Sequence, residues 1–163
     1  MIEPHGGKLV NRVLEGNQKK KLQKNAKIMP SISVDRDELT AIDNIATGLF
    51  SPLEGFMLEK DYKNVVEEMY LSNGSVWSIP VVLGVSEKEA SKLTAGEDVS
   101  IYFEEDEELY AILHLEEKYR VDKEKEAELV YGTTDKDHPG VAEVYDRDEV
   151  LLGGKISLLK RVK

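Results

Sequence analysis

Two Gly-Gly-Lys runs, Gly6-Gly7-Lys8 and Gly153-Gly154-Lys155, are the residues of this chain best suited by type to meet an anion. Glycine lets a backbone approach a phosphate, and lysine supplies charge. Neither run completes Gly-x4-Gly-Lys-Ser/Thr, and no Gly-x-Gly-x-x-Gly occurs. The plainer reading is a tight turn before Lys8 and a bulge at Gly153-Gly154 in a last strand. His5, Gly6, Gly7 and Lys8 are kept as a candidate anion-contact turn. The histidines His5, His114 and His138 stand at no metal-ligand spacing, so no metal site is assigned. His114 falls within a strand pattern and reads as a packed or rim residue. No Gly-x-Ser-x-Gly elbow is present, and no serine has an evident base. The acidic run 104–108 reads as a solvated turn rather than a paired acid and base. No catalytic residue is assigned.

The most informative stretch is YGTTDKDHPGV at 131–141, which gathers two glycines, two threonines, two aspartates, a histidine and a proline. Such composition means a structured loop. Two readings stand side by side: an Asx/ST-turn loop that closes a barrel, or a surface that meets a ligand or a partner domain. Gly132, Thr133, Thr134, Asp135 and His138 are its candidate interface or anion-contact residues.

The elements that must carry these residues can be read from periodicity. Residues 8–15 suit a first strand or turn, 17–25 a short polar helix, and 28–34 a strand. Leu39, Ile42, Ile45 and Ala46 recur at helical spacing. Asp35 with Glu38 forms a capping box before them, and Gly48 ends the helix. Phe50 to Phe56 is turn chemistry. Tyr62, Val65, Val66, Met69 and Tyr70 make one apolar stripe of a second helix, stopped by Ser72-Asn73-Gly74. Residues 76–85 (VWSIPVVLGV) read as a largely buried strand, with Pro80 marking an edge or bulge. Ser86 and Glu89 start a short helix. Residues 98–103 and 109–119 form a hairpin. Asp122 opens a charged helix to Val130; a long loop and a last strand over 150–162 follow. Six or seven strands with three to five short helices, not regularly alternating, predict a β-rich α+β fold, its mixed or antiparallel strands curled into a partial barrel.

Composition bounds the function. One continuous domain over 1–163 is the simplest organisation, and that length buries a real core. There is no cysteine, which excludes disulfides, thiolate zinc sites and a cysteine nucleophile. No apolar run reaches a membrane span and no signal peptide opens the chain, so a cytoplasmic protein without a membrane partner is expected. The net charge of −10 is uneven: residues 1–30 carry +5 and the remainder −15. That balance weighs against nucleic acid as a partner. The lysines at 19, 20, 21, 24 and 27 read as the solvated face of a helix.

Four segments in order resemble the N-terminal domain of ATP sulfurylase (sulfate adenylyltransferase): PHGGKLVNR at 4–12, IATGLFSPLEGFM at 45–57, YGTTDKDHPGVA at 131–142 and GGK at 153–155. VWSIPVVL at 76–83 and KEKEA at 123–127 look like the same domain. The resemblance spans nearly the whole chain and implies a PUA-like pseudo-barrel. It also implies a parent reaction, ATP + sulfate → adenosine 5′-phosphosulfate + pyrophosphate, with ATP (with magnesium) and sulfate as substrates of the parent enzyme and no cofactor in this chain. In that family catalysis belongs to a downstream domain whose signature resembles Gln-x-Arg-Asn-Pro-x-His-x-x-His. No such run occurs here. The chain is therefore expected to brace or dock on an ATP sulfurylase catalytic domain, in the same or a separate chain, and the family's frequent dimers or larger assemblies raise a homo-oligomer. The alternatives are a stand-alone PUA-like module that binds RNA or a nucleotide, and a complete small enzyme using the Gly-Gly-Lys turns with His138.

Overall fold

The computed structural model describes residues 9–161. Its framework is a hairpin. Strands β4 (Asp98–Phe103) and β5 (Leu109–Tyr119) pair antiparallel, Val99 against Leu113 and Ile101 against Ala111. The last strand, β6 (Val150–Leu158), lies antiparallel on the other side of β5. β1 (Ser31–Val34) pairs parallel with β4 at the far edge. β2 (Gly55–Phe56) and β3 (Leu83–Val85) both pair with the free edge of β6. Beyond them Leu14 N–H donates to Leu158 O and Leu158 N–H to Arg12 O, so residues 12–14 extend the same edge. Among the described residues this is the expected α+β architecture, a six-stranded mixed sheet, with six α-helices where the sequence pattern predicts three to five.

The main core lies between one face of the sheet and α2 (Arg36–Ala46). Leu39, Ile42 and Ile45 meet Val99, Ile101, Leu113, Leu115, Leu152 and Ile156, all buried. The Asp35–Glu38 capping box forms as read, each side chain bonding the other's backbone N–H. Its counterpart at Ser86–Glu89 starts α4 (Glu87–Ala90). Because β5 is central it is covered on both faces. Ile112 packs with Ala26 and Leu159 under the N-terminal helix α1 (Gly16–Asn25).

Three departures from the sequence reading have physical reasons. In α3 (Glu59–Glu68) the stripe stops at Val66, because Met69 is left-handed (φ 63) and turns itself and Tyr70 outward, about half exposed. Residues 76–82 are not a strand. Val76 and Ile79 are half exposed, Pro80 offers no N–H, and ladder pairing begins at Leu83. The loop after α5 (Lys123–Tyr131) is shorter than expected, because residues 139–146 form α6 (Pro139–Asp146), with Pro139 in the first turn, where a missing N–H costs nothing.

The glycines at 153 and 154 sit where the strand reading placed them. The β5–β6 register shifts between Leu115 and Glu117, opposite Gly153 and Gly154. A Cβ on Gly154 would stand 2.1 Å from the His114 carbonyl oxygen. Close strand approach therefore accounts for that glycine. Lys155 is half exposed and pairs with Glu54 at 3.7 Å.

Candidate functional site

The run at 131–141 folds into a hook built from its own hydrogen bonds. Gly132 ends α5 in a left-handed conformation (φ 74) and its N–H donates to Glu128 O. Thr133 Oγ1 accepts from Asp135 N–H at 3.1 Å, and Asp135 Oδ1 accepts from Asp137 N–H at 3.0 Å. His138 N–H donates to Asp135 O, while His138 Nδ1 accepts from Gly140 N–H at 3.1 Å and caps α6. The accepting Nδ1 leaves the ring proton of the neutral imidazole on Nε2. The His138 and Tyr131 rings lie 5.0 Å apart. Gly140 must be small, because a Cβ there would meet the Tyr131 ring at 2.4 Å. Gly132, Thr133, Thr134, Asp135 and His138 are thus gathered on one surface hook. His5, Gly6, Gly7 and Lys8 lie outside the described residues.

At the root of this hook lies a groove of about 510 Å³. Phe50, Phe56, Ile79, Pro80 and Val81 contribute apolar surface to it. One bank is the start of α2, with Asp35, Asp37 and Glu38; the opposite bank is α6 and its exit, with Glu143, Asp146 and Asp148. Among the described residues none of these six carboxylates forms an ion pair. Arg147, the one cation among the described lining residues, is committed to Glu126.

Sequence reasoning missed that pair. Glu126 is 3% exposed although it sits in a helix that reads as charged and solvated. Arg147 grips it with two nitrogens, at 3.1 and 2.8 Å, and the Tyr62 hydroxyl donates to the same carboxylate. Burial, then Glu126, pushes the Tyr62 hydroxyl up; burial works against the Arg147 charge, but Glu126 more than offsets it. Lys123 adds bonds to the Tyr145 and Arg147 carbonyls. Together these contacts fix α3, α5 and the exit of α6, and hence one bank of the groove. Nothing in the charged sequence of α5 sets Glu126 apart; the fold turns it inward together with Ala127.

The opposite bank has a titratable element. Burial first, then the Asp35 and Asp148 charges, hold Glu38 at about 7, above its ordinary 4.5, against the lowering effect of the Asp35 N–H. Between those values the folded chain keeps a proton that the unfolded chain has lost. The Glu38 contribution to stability is therefore present below about pH 4.5 and lost as pH rises through about 7. Glu38→Gln keeps the capping geometry and removes the titration. Urea midpoints measured across this range should show the variant gaining on the parent as pH rises; parallel profiles would refute the assignment.

A second polar chain crosses the sheet. His114 Nδ1 meets Asp98 Oδ1 at 2.7 Å and His114 Nε2 meets Ser157 Oγ at 2.7 Å. A serine with a base is thus present in space, although sequence reading finds none. Ser157 is 4% exposed, so its hydroxyl is closed to substrate in this conformation. The three side chains tie β4, β5 and β6 together, and His114, about a third exposed, is a rim residue as its strand position suggested. Among the described residues no three His, Asp or Glu side chains converge as a metal site, and no helix is long and apolar enough to cross a membrane.

Comparison with known proteins places this geometry among relatives. A family profile described as a PUA-like domain matches residues 2–161. A sulfate adenylyltransferase of Halothermothrix orenii is 68% identical over 163 residues, covering 100% of this chain and 43% of that protein. One from Staphylothermus marinus is 46% identical over 158 residues, 97% of this chain and 41% of the relative. A probable bifunctional SAT/APS kinase 2 of Sorangium cellulosum is 44% identical over 161 residues, 99% and 28% respectively. This chain therefore spans less than half the length of these relatives. The solved hexameric APS kinase from Thiobacillus denitrificans shares the fold, with a TM-score of 0.76 at 23% identity over 100% of this chain and 28% of that one.

Proposed function

This chain belongs to the PUA-like domain family, and we propose that it serves as the non-catalytic, N-terminal part of a sulfate adenylyltransferase, docking on and bracing the part that converts ATP and sulfate to adenosine 5′-phosphosulfate and pyrophosphate. The observation that carries this reading is 68% identity along all 163 residues to a sulfate adenylyltransferase of which they make up 43%. The groove supports the non-catalytic half of the reading. ATP and sulfate are anions, and their reaction needs donors and positive charge at the transferring phosphoryl group. Six carboxylates that form no ion pair among the described residues, beside an Arg147 already paired with Glu126, offer the opposite field.

Two assays test the proposal. The chain alone, given ATP, magnesium, sulfate and pyrophosphatase, should release no phosphate above the blank. A chimera in which it replaces the matched part of the Halothermothrix orenii enzyme should form adenosine 5′-phosphosulfate. Turnover by the isolated chain, or an inactive chimera, would overturn the reading.

A further inference from the structure

The groove beneath α6 is more than a place that repels anions. Its banks hold six carboxylates, three on each side of an apolar floor, that form no ion pair among the described residues. The floor continues onto exposed surface. Phe50 in the groove meets Trp77 edge-on at 6.2 Å, Trp77 N–H donates to Met69 O at 2.8 Å, and Ile79, Met69 and Tyr70 are each about half exposed. Like charges gathered around apolar surface destabilise a free chain, and Glu38, raised first by burial and then by the Asp35 and Asp148 charges, feels both conditions. A partner that brings cations to the banks and apolar side chains to the floor relieves both.

We infer that this acid-banked groove is the seat of a polypeptide surface carrying apolar side chains flanked by Lys or Arg, supplied by the part of sulfate adenylyltransferase that this chain does not span. The inference rests on the docking reading above and names the surface that does the docking. Charge complementarity selects the occupant: a phosphorylated ligand is repelled, and an acidic protein surface would add like charge to like. Arg147, held in place by Glu126, keeps α6 at the spacing the partner must fit.

Hydrogen exchange of the isolated chain, compared with the chimera described above, tests the site. Amides in 79–84 and 140–148 should exchange about ten-fold more slowly or better in the chimera, while those of α1 keep their rate. The exposed pair Glu143→Lys/Asp148→Lys should abolish that protection in the chimera and leave the melting of the isolated chain near that of the parent. Protection that appears elsewhere, with the groove unchanged, would overturn the groove assignment and leave docking standing. An absence of protection anywhere would overturn both. Groove amides that slow in the isolated chain as its concentration rises would make a second copy the occupant, and the assignment to the remainder of the enzyme would fall.

Discussion

Glu126→Ala is expected to cost about 3–5 kcal/mol of folding stability, because it leaves Arg147 charged, mostly buried and without its carboxylate. For a chain of this size that is a fall of roughly 10 °C in melting temperature. The Tyr62 hydroxyl loses its acceptor in the same step. Three elements far apart in sequence meet at this carboxylate, so the loss should loosen α6 as well as lower global stability. Removing both charges, as Glu126→Leu/Arg147→Met, should recover about 2 kcal/mol relative to the sum of the single changes. Urea melts of Glu126→Ala, Glu126→Leu, Arg147→Met and the double variant measure this directly. A single-variant cost below about 1 kcal/mol would show that water reaches Arg147 and that the pair does not organise the groove.

Gly55→Ala should be comparably damaging for a different reason. Its Cβ would fall 1.9 Å from the Gly154 carbonyl oxygen and 2.5 Å from the Lys155 Cα, and both are backbone atoms of β6. No rotamer change relieves such a clash, so β2 must separate from β6. The expected cost is at least about 3 kcal/mol, at or above the upper end for added core methylenes. Gly74→Ala is the matched control: its φ is +90 but nothing lies within 4 Å of the new Cβ. It should lose only the left-handed penalty of about 1–2 kcal/mol. Thermal melts that rank the two variants equally would show that the β2–β6 contact is more yielding than its geometry indicates.

Much of this architecture was legible in sequence because its signals are local. Asp35 with Glu38, and Ser86 with Glu89, announce helix starts by direct reciprocal bonding, and both form. The hairpin over 98–119 follows from alternation around an acidic turn, and its ends fall where expected. The errors come where tertiary context outweighs pattern. VWSIPVVL is apolar enough for a buried strand, yet before Leu83 it pairs only at isolated points, Val76 with Tyr70 and Val81 O with Met57 N–H, since β2 already takes β6 at Gly154 and Lys155. The start of α6 was hidden by its cap, because a histidine ring nitrogen does the work usually given to Ser, Thr, Asp or Asn. The candidate groove was least legible of all. Its banks come from residues near 36 and near 145, which only the assembled fold brings together, and its brace joins Glu126 to a residue 21 positions away. A charged helix such as α5 gives no sign by composition of which carboxylate turns inward.

The late position of β6 has a consequence for birth of the protein on the ribosome. This strand supplies the partner for β5 on one side and for β3, β2 and residues 12–14 on the other, yet it is the last strand in chain order among the described residues. During vectorial synthesis everything up to residue 149 emerges with those edges unmatched. Only local pieces, such as the β4–β5 hairpin and α2, can form meanwhile. Assembly of this sheet therefore waits for β6 and is a non-local step with a loop-closure cost. Until it happens the nascent chain presents open strand edges to its neighbours, the state in which chaperone capture or misassembly is most expected.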